Sequence, residues 1–361
     1  MSTCPFARAG ARNLLMGCAG IDLMRGARVL VVREEPALGW YDGHAADAVI
    51  AEANALGLTV DCLTVGAPDT ETLSSVDAHV QAYDVTVFFA RLGDLDRFAE
   101  RPEHTVRVMA YTRDHAMLGS EFGTTPHAAM LELKLAIDRL MLDAEDIHVQ
   151  CGLGTDYRGR LNADGRTAHR DVSVRRFPLG VPQPTLAHRF SGRVAVAHHL
   201  VSTGTRVDAW TVQRLPDTVV ACIEEGRIQG FEGPDSACDM AEHHLRRVAG
   251  LCGLDWRRVH SWHAGIHPGC GSAHARGMDP DRWANTVFCN PRLLHFHSVG
   301  ESAPGEVSWA VTDPTIALDG RALWSEGRLQ VEEFEQTKHV MERWPLLSEL
   351  WSKPVASVGL G

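Results

Sequence analysis

Six of the nineteen histidines fall between His260 and Gly300: His260, His263, His267, His274, His295 and His297. Neutral imidazole is the commonest transition-metal ligand, and the glycines and prolines of this stretch shape turns that bring ligands together. Two pieces carry the pattern. In LLHFHSVG, His295 and His297 are two residues apart, so on a strand both rings face the same side and can point at one ion. Glu306 lies shortly downstream and adds a carboxylate; two histidines and one carboxylate form the facial triad of non-haem iron(II) enzymes. In HAGIHPG the histidines are four apart, but the glycine and proline argue for a turn. No glutamate follows His263, so the logic of a helical HExxH zinc site does not transfer. His263 is expected on a metal and His267 toward a substrate. The alternatives are a polar strand face and a turn with exposed histidines. His198 and His199, in VAVAHHLV, fall on opposite faces of an expected strand, which makes His199 a second acid/base candidate. Cys270 and Cys289 flank the cluster and read as buried thiols.

The elements that must position these groups divide the chain in two. Up to about residue 145 apolar strands alternate with helices. Helical spacing over 7–24 precedes the strand ARVLVV (27–32). A helix over 42–57 leads to a strand at 58–65, and further strands follow at 84–92 and 104–112. Helices are expected near 70–82 and 126–144. This alternation implies an open parallel α/β sheet, a Rossmann-like scaffold domain (1–145). No GxGxxG follows the first strand, where VREEPALGW puts carboxylates in place of phosphate-cradling glycines, so no dinucleotide cofactor is expected. From 146 to 361 the chain reads as a β-rich α+β domain carrying the metal site. Its expected strands span 193–201, 206–215 and 218–233, with a turn at EEGR (224–227). A helix is expected over 235–252, and a hairpin over 314–330 turns at Asp319-Gly320. The amphipathic, acidic tail (331–352) carries Trp344 and Trp351 and is expected to dock on the body or on a partner subunit.

Bulk properties narrow the function. With 361 residues, 45% hydrophobic and 22% charged, the composition is that of a globular protein. A formal net charge of −11 argues against nucleic-acid and anionic-membrane partners. No apolar run approaches the roughly 20 residues needed to cross a bilayer. Nine cysteines, an odd number without a CxxC pair, favour reduced thiols and a cytoplasmic protein. No G-x-S-x-G elbow, placed Cys-His pair or P-loop is present, which leaves a metal site as the best-supported chemistry.

Taken in order, the motifs resemble the aminopeptidase T-like (thermophilic leucyl aminopeptidase) superfamily. ARNLLMGCAGIDLMRGARVLVV resembles its opening helix and first strand, and LGTDYRGRL its central GTDL segment. IEEGRIQGFEG is similar to its E-x-G-R-I hairpin, HAGIHPG to its E-x-G-I-G-x-N-P turn, and DPTIALDGRALWSEGRL to its closing hairpin. The resemblance implies either a peptidase with paired metal ions or a single-iron, ring-opening enzyme of the 2,5-dihydroxypyridine 5,6-dioxygenase branch. Peptidase members carry a glutamate in P-x-G-E-V, where this chain has FPLGVPQP with no glutamate after Gly180, and His263 replaces the glutamate before their G-I turn. Their terminal H-x-D pair matches either His295-Phe296-His297 or Glu306-Val307-Ser308. The exchange of carboxylate for histidine points to the dioxygenase branch. The expectation is a mononuclear iron(II) dioxygenase that opens a small hydroxylated aromatic or N-heteroaromatic ring with O₂. Its ligands are His263, His295 and His297, with Glu306 as the replacement for one of them, and His267 and His199 move protons. The alternative is a zinc or manganese hydrolase of an amide or small peptide. A homo-oligomer is expected.

Overall fold

The computed structural model describes residues 5–21, 26–68, 76–77, 79–95, 97, 105–161, 172–203, 212–355 and 357–360. The protein is a mixed α/β chain of two compact units, one made of 1–131 with 171–180 and the other of 132–170 with 181–361.

The first unit is built on a five-stranded parallel sheet in the order Thr59–Val65, Arg28–Glu34, Val85–Phe89, Val106–Ala110, Arg175–Phe177. Its strands are apolar runs because helices and loops cover them: Val29, Val31, Val85, Val87 and Val108 are all buried. The helix Pro5–Arg12 and the π-turned segment Asn13–Cys18 supply Ala7, Ala11, Leu14 and Leu15 to the same core. His44–Ala55 is the helix expected over 42–57. The helix expected at 70–82 lies largely outside the described residues. Strand order reverses between Arg28–Glu34 and Val85–Phe89, where doubly wound sheets open a ligand crevice. Here Glu34, 1% exposed, accepts hydrogen bonds from the Arg91 backbone N–H (3.0 Å), Nε (3.0 Å) and Nη2 (2.6 Å). The carboxylate that replaces a phosphate-binding glycine is thus neutralised by its own arginine, which lies over Trp40 at 4.3 Å.

The second unit holds two antiparallel sheets. The six-stranded sheet runs Val212–Arg214, His199–Thr203, Glu306–Thr312, Leu293–Val299, Val259–Ala264, Thr185–Leu186. The eight-stranded sheet runs Arg227–Glu232, Val219–Glu224, Phe190–Val196, Asp156–Gly159, Ile147–Gln150, Thr315–Leu318, Arg321–Ser325, Arg328–Leu329. Alternation decides which residues of the six-stranded sheet face inward. Trp262, Phe296 and Trp309 come from three adjacent strands and share one face, with Phe296 stacked on Trp309 at 5.5 Å and tilted against Trp262 at 6.4 Å. From the eight-stranded sheet, Phe190 meets Trp262 edge-on at 5.6 Å and Tyr157 meets Phe296 at 5.5 Å. Such pairs contribute about 0.5–1.5 kcal/mol each beyond burial. The helix Asp235–Cys252 closes one flank, where His244 Nε2 and Ser202 Oγ are 2.8 Å apart. The tail forms helices Glu335–Arg343 and Pro345–Ser352 and docks within this unit, where Trp344 Nε1 donates to Glu132 at 3.0 Å.

One expected strand is corrected. The run 193–201 is two strands in different sheets, Phe190–Val196 and His199–Thr203. The His199 N–H donates to the Ala197 carbonyl (2.8 Å) across His198, whose φ is +71°. This is a γ-turn of the rare, strained hand. It carries the chain from one sheet to the other, a long-range demand that no local periodicity records. Of the expected strand 206–215, the described part is Val212–Arg214.

Candidate metal centre

The face of the six-stranded sheet opposite the aromatic stack carries the histidines. His263 and His295 are direct cross-strand partners, and His297 stands two residues further along. Glu306 and Ser308 share that face on the next strand, with Ser308 opposite His297. One strand further on, Val201 opposite Ser308 puts His199 on the same face. His263 belongs to the strand Val259–Ala264, and the turn begins only at Gly265, a correction to the reading of HAGIHPG as one turn.

The rings converge. His263 Nε2 and His297 Nε2 are 3.1 Å apart, and the His263 and His295 rings stack with centroids 5.9 Å apart. Two nitrogens each about 2.1 Å from one ion would stand roughly 3 Å apart, so this pair has the spacing of neighbouring ligands. The Glu306 carboxylate, 1% exposed, lies 2.7 Å from His297 Nδ1 but off the line of a ring N–H, a close approach rather than an aligned hydrogen bond. A carboxylate on that side favours the proton on Nδ1 and turns the Nε2 lone pair toward His263. His295 Nε2 is buried and has no hydrogen-bond partner among the described residues. Burial, with His297 and His199 adding to it, lowers the His295 pKa to about 3, so the ring is held neutral, the form that binds metals. Among the described residues no group of three or more His, Cys, Asp or Glu side chains is placed to hold a metal ion. The converging pair is His263 and His297, with His295 beside it.

Of the other expected residues, His199 shares the pair's face and is felt by His295, while His267 is held by the turn beyond the strand. His199, 5% exposed, packs edge-on against Trp283 at 5.7 Å, and burial, then Arg276, lowers its pKa to about 3. His267, fully buried, sits in the turn after Gly265, where its Nδ1 accepts the Gly269 N–H at 3.2 Å. Phe288 stands near both His263 (6.2 Å) and His295 (6.1 Å), an aromatic wall beside the imidazoles.

Three neighbours were not legible as site residues. His260 is the extra residue of a β-bulge between Val259 and Ser261. The bulge sets its Nδ1 3.3 Å from Ser261 Oγ and its Nε2 3.4 Å from the exposed Glu301. Burial lowers the His260 pKa, with Glu301 opposing and His297 and Glu306 also felt. Trp283 belongs to the helix Pro280–Val287, where its Nε1 donates to the Val358 carbonyl (2.7 Å). Arg276 follows the turn, and its N–H donates to the Gly359 carbonyl (2.8 Å).

Gly265 is what lets the His263 strand end where it does. A Cβ there would meet the Asn290 carbonyl oxygen at 2.2 Å and the Cys289 carbonyl carbon at 2.4 Å, both rigid backbone. Gly265→Ala is therefore expected to cost about 2–3 kcal/mol in a denaturant titration. An unchanged midpoint would show that the strand ends yield more readily than this packing implies.

No family model matches the chain, and no curated protein matches its sequence. Among solved structures it is similar to 2,5-dihydroxypyridine dioxygenase from Pseudomonas putida KT2440, with 14% identity, a TM-score of 0.59, and coverage of 93% of this chain and 99% of that one. The likeness is one of fold.

Proposed function

We propose that the protein is a mononuclear non-haem iron(II) dioxygenase that opens a small hydroxylated aromatic or N-heteroaromatic ring. The observation that carries this reading is the 3.1 Å approach of His263 Nε2 to His297 Nε2, with the buried, neutral His295 beside them. The dioxygenase fold likeness supports it. His263, His295 and His297 would hold the metal, with Glu306 acting through His297 or taking the place of one ring. Bound iron(II) supplies O₂ activation and polarises a ring hydroxyl. The chain does the rest. Glu306 fixes the tautomer and orientation of His297. Phe288 walls the cleft for a flat ring. His199 and His267 are the candidates for moving protons. A homo-oligomer also belongs to this reading.

The test is metal analysis of the purified protein together with oxygen uptake, beginning with 2,5-dihydroxypyridine and hydroxylated benzenes. Stoichiometric iron and chelator-sensitive uptake are expected. A pure, active protein with no metal and no response to chelator would sink the proposal, and activity that persists without oxygen would favour a zinc or manganese hydrolase.

A further inference from the structure

The end of the site face away from Glu306 carries two arginines. Arg214 is the direct cross-strand partner of His199, so the two side chains stand on the same face. Arg214 Nη2 donates to the Gly277 carbonyl at 2.9 Å, which ties it to the segment bearing Arg276. The Arg276 guanidinium lies 5.8 Å from the centre of the Trp283 ring, the same indole that packs against His199. Among the described residues neither arginine forms an ion pair. Arg276 is half-buried, and burial lowers its pKa with no anion to oppose the effect. Both arginines and His198 disfavour a proton on His199. A chain with 46 acidic and 35 basic side chains thus has, among the described residues, a half-buried guanidinium with no ion pair near its candidate site. An arginine so placed is a bidentate receptor for a planar carboxylate.

His199 and His295 are separated by the strand Glu306–Thr312, so their backbones stand two strand spacings apart, roughly 10 Å. Between them the face presents Ser308 and Ala310, and Ala310 packs against the apolar cluster of Val201, Trp283, Ala284, Val287 and Leu293. We infer that Arg276, assisted by Arg214 and His199, is an anion subsite that receives a carboxylate on the substrate. The substrate class is then a hydroxylated aromatic acid, with its hydroxyl toward His263, His295 and His297 and its carboxylate toward Arg276. Arrival of the anion relieves the mutual repulsion of Arg276 and Arg214. This inference rests on the ring-opening reading for its substrate, while the subsite can be tested without iron.

The experiment is calorimetric titration of the metal-free protein with 2,5-dihydroxybenzoate and, separately, with hydroquinone, the same ring without the carboxylate. The acid is expected to bind about tenfold or more tightly than hydroquinone. Arg276→Gln is expected to abolish that difference and Arg276→Lys to keep part of it. Arg214→Gln, an exposed change that leaves packing intact, is expected to reduce it. Inorganic phosphate alone should compete with the acid only weakly; competition as strong as self-competition would mark a general ion site and overturn the assignment to an aromatic acid. Equal binding of the two rings, no binding of either, or discrimination that survives in folded Arg276→Gln would overturn it as well. Discrimination without any oxygen uptake by the iron-loaded protein would keep the subsite and remove the dioxygenase reading.

Discussion

His297→Ala is expected to empty the iron site and to lower ring-opening turnover by about a thousandfold or more, while the protein stays folded. The ring is partly exposed and its contacts are His263 and Glu306, so its loss opens no core cavity. It does remove one of the two nitrogens that converge at 3.1 Å. His263→Ala is expected to behave alike for the metal. Glu306→Gln should act more gently: the carboxamide keeps the shape and loses the charge beside Nδ1, a change that costs about 10–100-fold in metal affinity for orienting partners of this kind. Metal content by elemental analysis and folding by circular dichroism separate these outcomes. Stoichiometric iron in His297→Ala would remove this residue from the ligand set.

Acidification is expected to unfold the protein through its buried histidines. His199, His244, His267 and His295 are 5%, 2%, 0% and 6% exposed, and burial is the first cause of lowered pKa in each: to about 3 for His199, His267 and His295, and about 4 for His244. In the unfolded chain each titrates near 6.5. Their folded-state values are depressed, so the unfolded state binds more protons across the window from about 6.5 down to 4. Their contribution is fully present above 6.5 and is lost as pH falls through that window. Four such groups give a slope of roughly 5 kcal/mol per pH unit, comparable with the whole stability of many domains. Urea titrations of the metal-free protein at pH 7.5, 6 and 5 measure it. His244→Gln, away from the histidine face, should flatten the slope by about one quarter. Stability that does not change between pH 7.5 and 5 would show that these rings stay solvated.

What could be read from the letters was whatever repeats over short distances. Period-two spacing places His295 and His297 on one face, and the β/α alternation gives the parallel sheet. The hairpin turns at Glu225-Gly226 and Asp319-Gly320 announce themselves by composition, and both pairs take positive φ. What could not be read depends on partners far along the chain. Whether His263 ends a strand or opens a turn is decided by pairing with His295, 32 positions later. His260 reaches the rim only because a bulge inserts it against Ser298 and His297. His198 and His199 look like neighbours on one strand, yet a γ-turn puts them at the junction of two sheets. Arg214 and Arg276 show no spacing that links them; register and a single hydrogen bond to Gly277 do so.

The stacking of Trp262, Phe296 and Trp309 behind the histidines has a consequence for how this scaffold can change. Along each of the three strands, even and odd positions answer to different requirements. One set fixes the fold through indole and phenyl packing, and the other meets whatever sits in the cleft. A donor on the histidine side can therefore be exchanged for another without disturbing the aromatic side, one residue at a time. Chemistry in such a sheet is editable independently of folding, so one architecture can be retuned between ions and reactions by substitutions that the hidden face never registers.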